Sequence, residues 1–599
     1  MDQKRLVLSG NEAIARGAFE SGVKVASAYP GTPSTEILEN LGQYREMHAQ
    51  WAPNEKVALE TAMGASFGGA RALVVMKHVG VNVAADPLFT LSYTGLRGGL
   101  VLVTADDPAM HSSQNEQDNR NYAKFAKVPM LEPSDSQEAK DFTLLAFEIS
   151  EAFDTPVMLR TTTRVSHSKS IVTPEEPKTP PVRPGIVKDP DPVKFVMLPA
   201  NARKRHPVVE KRMKDLAVFA ETFPGNRIEW GDKKVGIITS GISYQYAKEV
   251  YPQASYLKLG MVHPLPPGMI RSFAEKVETL FVVEELDPFI EDQIRAMGIA
   301  VKGKEVFPLC GELNPNLAEK GLRGNEALRP NEPAQGLPAR PPIMCPGCPH
   351  RGIFSILSKL KLFVTGDIGC YTLGFLPPLS AIDTCVCMGA SIGHALGLDK
   401  ALGPEALGKV VAVIGDSTFL HSGITSLLNV VYNKGAVTLI ILDNRTTAMT
   451  GRQDHPGTGF TLQGDETTQV DLIKLVKALG VKHVKQVNPY RLAETEKVIK
   501  REAKRREPSV IISRAPCVLS RRDRSAFGEA YQVDPEVCRG CRSCLRIACP
   551  AIEWITEEGA DREGRKRKGR ASIDRFLCNG CSLCAQICKF GAMGDGHGK

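Results

Sequence analysis

The sequence predicts an α/β protein: several open parallel-sheet domains in succession, followed by a short, cysteine-dense C-terminal unit. Three observations carry this. Short apolar runs recur over about the first 520 residues, each separated from the next by a helical stretch, as for parallel strands buried on both faces. Two proline-rich segments interrupt the alternation. Eight of the fifteen cysteines fall after residue 530, in a stretch too short to bury a core of its own. At roughly 150 residues per domain, a chain of 599 residues allows about four domains.

In residues 1–170 the runs at 23–26, 72–76 and 99–103 read as strands. Tyr29-Pro30-Gly31-Thr32-Pro33-Ser34 follows the first run, and Pro33 and Ser34 suit a helix start whose N-terminus favours an anionic group. Asn54-Glu55 leads into VALETAMGASFGGARA, a helix of small residues that other backbone or a ligand can approach closely. Glu55 reads either as a solvated carboxylate at a helix N-terminus or as a functional acid. Residues 171–232 are a linker rich in proline and charge, with a partly helical, basic continuation at 208–223. Residues 233–328 resume the alternation with VGIITSG, SYLKLG and TLFVVEE, and Glu284-Glu285 at the end of that last strand reads as structural. A second linker, 329–342, precedes a domain spanning 343–520.

That domain is organised by residues 410–451. The apolar run 410–414 stops at Gly415-Asp416-Ser417; after a helical stretch, the run 437–442 stops at Asp443-Asn444. Parallel strands joined by a helix end on one edge of a sheet, the edge where such sheets bind ligands. Asp416 and Asn444, about 28 residues apart, can therefore meet. With the carbonyl of Thr446 they form a hard-oxygen set that suits Mg²⁺ and phosphate. The pattern resembles the GDG…NN motif of thiamine-diphosphate enzymes, with Ser417 and Asp443 departing from it. The other reading is an ordinary βαβ unit whose acidic turn caps a helix.

The tail, 530–599, carries Cys538-x2-Cys541-x2-Cys544-x4-Cys549-Pro550 and Cys578-x2-Cys581-x2-Cys584-x3-Cys588. In such double runs three thiolates bind one cubane and the fourth Cys ligates the other. This assigns Cys538, Cys541, Cys544 and Cys588 to one [4Fe–4S] cluster and Cys578, Cys581, Cys584 and Cys549 to a second, a two-cluster ferredoxin-like domain. The x4 spacing and Lys589 in place of a second Pro depart from the pattern, and the basic insert 562–570 reads as a solvated loop. Cys345, Cys348, Cys370 and Cys517 lie in turn-like contexts of the preceding domain and could meet as a third cluster. Zinc and unliganded core thiols are the alternatives. Cys310, Cys385 and Cys387 read as core residues.

The matching pieces YPGTPS (29–34), NEKVALETAMGAS (54–66), DDPAMHSSQNEQDNR (106–120), CPGCPHRG (345–352), GDIGCYTLG (366–374) and GDSTF (415–419), with the tail, occur in one order over essentially the whole chain. In this the chain resembles the large subunits of indolepyruvate:ferredoxin oxidoreductases, within the 2-oxoacid:ferredoxin oxidoreductase group. The resemblance implies a pyrimidine-binding domain at 1–170, a transketolase-C-terminal-like domain at 233–328 and a diphosphate- and Mg²⁺-binding domain at 343–520. It also implies roles. Glu55, or Glu60 nearby, would hydrogen-bond the aminopyrimidine; Thr32 would contact substrate and Arg120 pair with its carboxylate; Asp416, Asn444 and Thr446 would ligate Mg²⁺. Cys345, Cys348, Cys370 and Cys517 would hold a cluster near the cofactor. Gly31, Cys348, His350, Asp367, Gly369, Tyr371, Gly415, Ser417 and Thr450 would line the cofactor. The implied reaction converts an aryl 2-oxoacid and coenzyme A to acyl-CoA and CO₂, with electrons leaving singly through iron–sulfur clusters to ferredoxin. A smaller subunit would complete an α2β2 assembly.

Composition narrows the classes. A net charge of +8, much of it in local clusters, gives no broad nucleic-acid surface, and no apolar run is long enough to span a bilayer. The segment MDQKRLVLSGNEA lacks an apolar signal core, so a cytoplasmic protein is expected, in which many cysteines point to metal or redox centres. A non-oxidative thiamine decarboxylase would not need the clusters. A pyruvate- or 2-oxoglutarate-specific relative is a nearer alternative, and a non-enzymatic electron carrier would not need both Asp416 and Asn444.

Overall fold

The computed structural model describes residues 5–178, 193–324, 336–338, 340–520, 522 and 528–594. The proline-rich centres of both expected linkers lie outside the described residues. The chain divides into two compact units, residues 1–335 and 336–599. No helix among the described residues is long and apolar enough to cross a membrane.

The first unit is built on a seven-stranded sheet in the order Met261–His263, Met130–Leu131, Val157–Thr162, Leu100–Asp106, Ala72–Lys77, Val25–Ala28, His48–Trp51. Every pairing is parallel except the first. ALVVMK and LVLVTAD are buried at every position, which is why they read as unbroken apolar runs rather than alternating ones. The helix Gly10–Glu20 opens on a capping box between Ser9 and Glu12, and Glu55–Phe67 and Ser136–Phe153 are capped by Asn54 and Asp135. A second, four-stranded sheet orders Thr279–Val283, Asp232–Ser240, Ala254–Leu259 and Arg227–Glu229. The sequence placed a separate α/β segment from 233. The structure shows that segment lending Met261–His263 to the first sheet, and one apolar cluster runs from Leu102, Met130 and Met158 to Ile238, Leu257 and Phe273. The expected linker 171–232 holds a 22-residue helix, Pro199–Ala220, whose Arg205 and Arg212 donate to the carbonyls of Tyr93 and Ser92.

Arg120, expected to meet a substrate carboxylate, is instead buried inside this unit at 1% exposure. Its guanidinium donates to Asp118 (2.5 Å), Glu284 (2.5 Å) and the carbonyls of Glu285 (2.8 Å) and Asp287 (3.1 Å). The same Glu284 carboxylate accepts the N–H groups of Ile290 and Glu291 and so caps the helix Phe289–Ala296. Glu285 is raised to about 7 by burial. Arg120 is thus a tie between the first and second sheets' loops, and the structural reading of Glu284-Glu285 follows from it. Removing one member of a buried ion network leaves its partners' charge uncompensated, at a cost of about 3–5 kcal/mol. Arg120→Met is therefore expected to lower the stability of the first unit by that amount in denaturant unfolding, and a loss below about 1 kcal/mol would return Arg120 to the list of free binding groups.

The second unit contains a five-stranded parallel sheet in the order Phe363–Thr365, Val410–Gly415, Thr438–Asp443, Ser509–Arg514, His483–Val487. Its two faces bury separate clusters. Val411, Val413, Ile440 and Leu442 face the helix His350–Leu360; Ala412, Ile414, Leu439 and Ile441 face Ala390–Leu402 and Ile424–Tyr432. The tail beyond 528 has only two-residue to four-residue strands in three antiparallel pairs: Gln532–Val533 with Met593–Gly594, Ile552–Ile555 with Arg570–Ile573, and Gly559–Ala560 with Lys566–Arg567. The basic insert 562–570, expected as a solvated loop, includes part of this hairpin: Arg567 donates to the carbonyl of Cys538 (2.6 Å).

Candidate functional site

In the second unit three neighbouring strands end together, in the registers Gly415↔Leu442 and Asp443↔Arg514. The chain passes from Gly415 directly into a helix at Asp416 that widens to a π-helical turn over Phe419–Gly423, a feature common at functional sites. Asp416 is 2% exposed. One carboxylate oxygen accepts the N–H of Ser417 (2.8 Å) and the other accepts the N–H of Arg445 (2.7 Å), from the turn after the adjacent strand. His455 Nε2 stands 3.3 Å from that second oxygen. His455 Nδ1 accepts the N–H of Gly457 (3.0 Å), which fixes the ring beside Asp416. Burial pushes the Asp416 carboxyl up, but His455 and the two backbone donors outweigh it and hold the group below the usual carboxylate range.

Arg445 adopts a left-handed conformation (φ 60°) between Asn444 and Thr446. Asn444 Oδ1 accepts the Thr446 N–H (3.2 Å), and its Nδ2 lies 3.5 Å from His350 Nε2. Burial lowers His350 to about 4, so the ring is neutral and can accept. Asp416, Asn444, Thr446 and His350 are thus brought together. A carboxylate held ionised beside an amide oxygen and main-chain carbonyls is a hard-oxygen donor set of the kind Mg²⁺ takes. A cavity of about 130 Å³, lined by Asp443, Arg445, His455, Gln469 and Arg514, opens beside it. Asp443, the departure from the motif, is offset by Arg514, whose Nε donates to it (2.6 Å).

Several residues expected to line a cofactor are also held by protein partners. Asp367 is fully buried, and its oxygens accept the N–H groups of Ile368, Gly389 and Ser391 at the start of the helix Ala390–Leu402. The Tyr371 hydroxyl donates to the carbonyl of Ile368 (2.9 Å). Its ring packs between Gly369 and Gly415, where a Cβ would come within 2.4 and 2.7 Å of it. Ser417 Oγ pairs with Thr447 Oγ1 (2.8 Å), and Thr450 Oγ1 donates to Gln453 (2.6 Å).

Twelve of the fifteen cysteines fall in three sets of four, all within this unit. Cys517 donates its N–H to the carbonyl of Asn444 (3.0 Å), which joins the strand-end site to a group of four thiols. Cys348 and Cys370 are pushed up to about 12 and about 11, by burial first and then by the neighbouring thiols of Cys345, Cys370 and Cys517. A second set, Cys549, Cys578, Cys581 and Cys584, lines a small cavity. A third, Cys538, Cys541, Cys544 and Cys588, lines another. In both tail cavities the last Cys of one run sits with the first three of the other. Among the described residues, no three His, Cys, Asp or Glu side chains converge closely enough to hold a single metal ion. Cys310, Cys385 and Cys387, expected in the core, are exposed.

In the first unit the strand ends carry Gly31, Thr32 and two residues the sequence reading passed over, Lys77 and His78. Lys77 donates to the carbonyl of Ser112 and is lowered to about 8 by burial, with Asp107 opposing. His78, lowered to about 4 by burial, meets the Asn115 carbonyl (3.2 Å). A Cβ on Gly31 would lie 2.9 Å from Lys77 Cβ. Their signal was positional: both stand where the apolar run ALVVMK stops, on the ligand-binding edge of a parallel sheet. Glu55 is buried against Gly80, whose Cβ would stand 2.7 Å from its carboxylate, whereas Glu60 is exposed and paired with Lys56.

Residues 16–214 match the family described as pyruvate flavodoxin/ferredoxin oxidoreductase, thiamine diphosphate-binding, and residues 367–513 match the thiamine pyrophosphate enzyme C-terminal TPP-binding domain. Indolepyruvate oxidoreductase subunit IorA of Archaeoglobus fulgidus is 43% identical over 98% of this chain and 96% of its own. The chain belongs to the IorA family. The IorA of Methanothermobacter thermautotrophicus is similar at 41% identity, over 98% of this chain and 97% of its own. Both units of the chain therefore fall inside a length shared end to end with IorA relatives. A solved 2-oxoglutarate:ferredoxin oxidoreductase from Magnetococcus marinus, with 2-oxoglutarate, coenzyme A and succinyl-CoA bound, aligns at 16% identity and a TM-score of 0.45, over 53% of this chain and 65% of that one.

Proposed function

We propose that this chain is the catalytic subunit of an enzyme that oxidatively decarboxylates aryl 2-oxoacids, indolepyruvate among them, to acyl-CoA and CO₂ and delivers the electrons to ferredoxin. Family membership makes it a 2-oxoacid oxidoreductase with thiamine-diphosphate domains. The observation that carries the fuller reading is the backbone bond from Cys517 to Asn444, which makes the candidate diphosphate edge and a four-thiol set one continuous structure.

Asp416, Asn444 Oδ1 and the Thr446 carbonyl would hold Mg²⁺ together with diphosphate oxygens, His455 and the Ser417 and Arg445 N–H groups keeping Asp416 ionised and aimed. Thiamine diphosphate supplies, when bound, the nucleophilic carbon and the electron sink that let the bond to a carboxylate break. Glu55, held at a helix start in an apolar setting, would keep a proton at the pyrimidine nitrogen, and Thr32 would contact substrate. The three cysteine sets would hold three [4Fe–4S] clusters, so that electrons have an exit. Coenzyme A would take the acyl group, and a smaller subunit would complete an α2β2 assembly. The test is dye reduction by the purified complex across aryl, pyruvate and 2-oxoglutarate substrates with coenzyme A: highest kcat/KM on an arylpyruvate is expected, and preference for pyruvate or 2-oxoglutarate would move the substrate class.

Three outcomes check the residues. Asp416→Ala is expected to abolish Mg²⁺-dependent thiamine-diphosphate binding in calorimetry while iron content stays at the wild-type level; stoichiometric cofactor retention with normal dye reduction would remove Asp416 from the site. Glu55→Gln should retain cofactor and lose about 10²–10⁴-fold in turnover, with Glu60→Gln near wild type. A loss under about threefold for Glu55→Gln would reassign the proton role. Anaerobically prepared protein should contain about twelve irons per chain, and Cys348→Ser about four fewer; about eight in fully loaded wild type would rule out the third cluster.

A further inference from the structure

Arg351 is the second residue of the helix His350–Leu360 and is 1% exposed. Its guanidinium reaches in two directions. Nε donates to the carbonyl of Cys345 (3.0 Å) and Nη2 to that of Met344. Nη1 donates to the carbonyls of Ile547 (3.2 Å) and Ala548, the residue before Cys549. It also lines the cavity formed by Cys549, Cys578, Cys581 and Cys584. The loop it holds is clamped from the far side: the Pro346 carbonyl accepts from Asn579 (3.2 Å), the Gly347 carbonyl accepts from Tyr490 (2.7 Å), and Gly347, at φ 65°, leaves no room for a Cβ against Asn579. Arg351 therefore stands between the thiol set that adjoins Asn444 and one of the two tail sets.

All four of these hydrogen-bond partners are carbonyls, and none is a carboxylate. A buried cation without an anion is unstable, and Arg351 is pushed below its usual range by burial, with the thiols of Cys348, Cys549, Cys345 and Cys581 acting against that. A cubane held by four thiolates is an anion and becomes more negative on taking an electron. Two such groups, one on each side, would supply the missing countercharge.

We propose that Arg351 is a positioning residue for electron transfer, fixing the Cys345–Cys348 loop against Cys549 and holding the clusters on both sides of it at higher potentials than their thiolates alone would set. The proposal rests on the reading that these cysteines hold cubanes. The step it serves moves one electron from the reduced cluster at Cys345, Cys348, Cys370 and Cys517 to the oxidised cluster at Cys549, Cys578, Cys581 and Cys584, with no proton. The cation favours the reduced form at each end, so the electron crosses between two wells of similar depth rather than climbing away from a single charge. The cluster at Cys538, Cys541, Cys544 and Cys588 lies outside this arrangement and serves as an internal reference.

The experiment is an anaerobic redox titration of the holoenzyme by low-temperature EPR, with iron analysis, for wild type, Arg351→Met and Arg351→Lys; signals are assigned from Cys348→Ser and Cys538→Ser. In Arg351→Met with full iron, the reduced-to-oxidised ratio of the two flanking clusters at fixed potential should fall about tenfold, a shift of about 59 mV to lower potential for one electron, with the reference cluster unmoved. Arg351→Lys should keep full iron and wild-type midpoints. Unmoved midpoints in loaded Arg351→Met, an equal shift at all three clusters, or displaced midpoints in Arg351→Lys would overturn the proposal. Iron loss in Arg351→Met alone, with Arg351→Lys normal, supports a need for the charge. Iron loss in both variants reduces Arg351 to a fold-holding residue and overturns it. Failure of the underlying reading looks different, since wild type itself would then lack the EPR signal assigned to the cluster at Cys345, Cys348, Cys370 and Cys517.

Discussion

The second unit depends on one pairing: Val410–Gly415 lies parallel to Thr438–Asp443, with Gly415 opposite Leu442. Parallel pairing sends both chain ends out of the same edge. A slip of one residue would turn Val413 and Ile414 to the wrong faces and separate Asp416 from the turn that holds it. In register, the N–H of Arg445 reaches Asp416, the left-handed Arg445 throws Asn444 towards His350, and the next strand, Ser509–Arg514, delivers Cys517 to the carbonyl of Asn444. Gly415 is required by packing, since Tyr371 occupies the place of its Cβ.

Buried charge is handled in two contrasting ways. In the first unit Arg120 and Arg160 are enclosed with Asp118, Asp106, Glu132 and Glu284, so each cation has carboxylates within hydrogen-bond reach. Such a network contributes little net stability relative to apolar packing but is costly to break, and it fixes how the loops of the two sheets meet. Burial raises Asp106 even beside Arg160, which marks how fully water is excluded there. In the second unit Arg351 has carbonyls and thiols around it and, among the described residues, no carboxylate partner. The first arrangement carries its countercharge within the protein, although Arg160 Nη2 and Asp106 Oδ1 are left without a hydrogen-bond partner among the described residues; the second would gain its countercharge from anionic groups at the cysteines, on the function proposed above.

The tail shows the same dependence on a larger scale. Its short strand pairs and its small apolar cluster of Ile547, Ala571, Leu583 and Met593 are wrapped around cysteine-lined cavities. On the function proposed above, a unit of this size with so little apolar burial would draw its folding energy from clusters held by these cysteines. Gln586 adds a direct seam to the neighbouring domain, donating to the Tyr490 carbonyl (2.7 Å) and accepting the Leu492 N–H (3.0 Å).

The sequence by itself determined the parallel strands, the meeting of Asp416 with Asn444's turn, and the grouping of the tail cysteines, because each is written in local signals: unbroken apolar runs, acidic or amide residues where those runs stop, and fixed Cys spacings. It placed Glu55 first and Glu60, one turn further along the same helix, second, but could not show what separates them: packing buries the first against Gly80 and leaves the second exposed and paired with Lys56. It could not show that the polar atoms of Arg120, Asp367 and Tyr371 are engaged by protein partners, which for Arg120 include Glu284, far away in the chain. It passed over His455 and Arg351. His455 has no motif of its own and Arg351 lies within CPGCPHRG without a role that spacing can show, and each acquires its place only when separate loops close around it and exclude water.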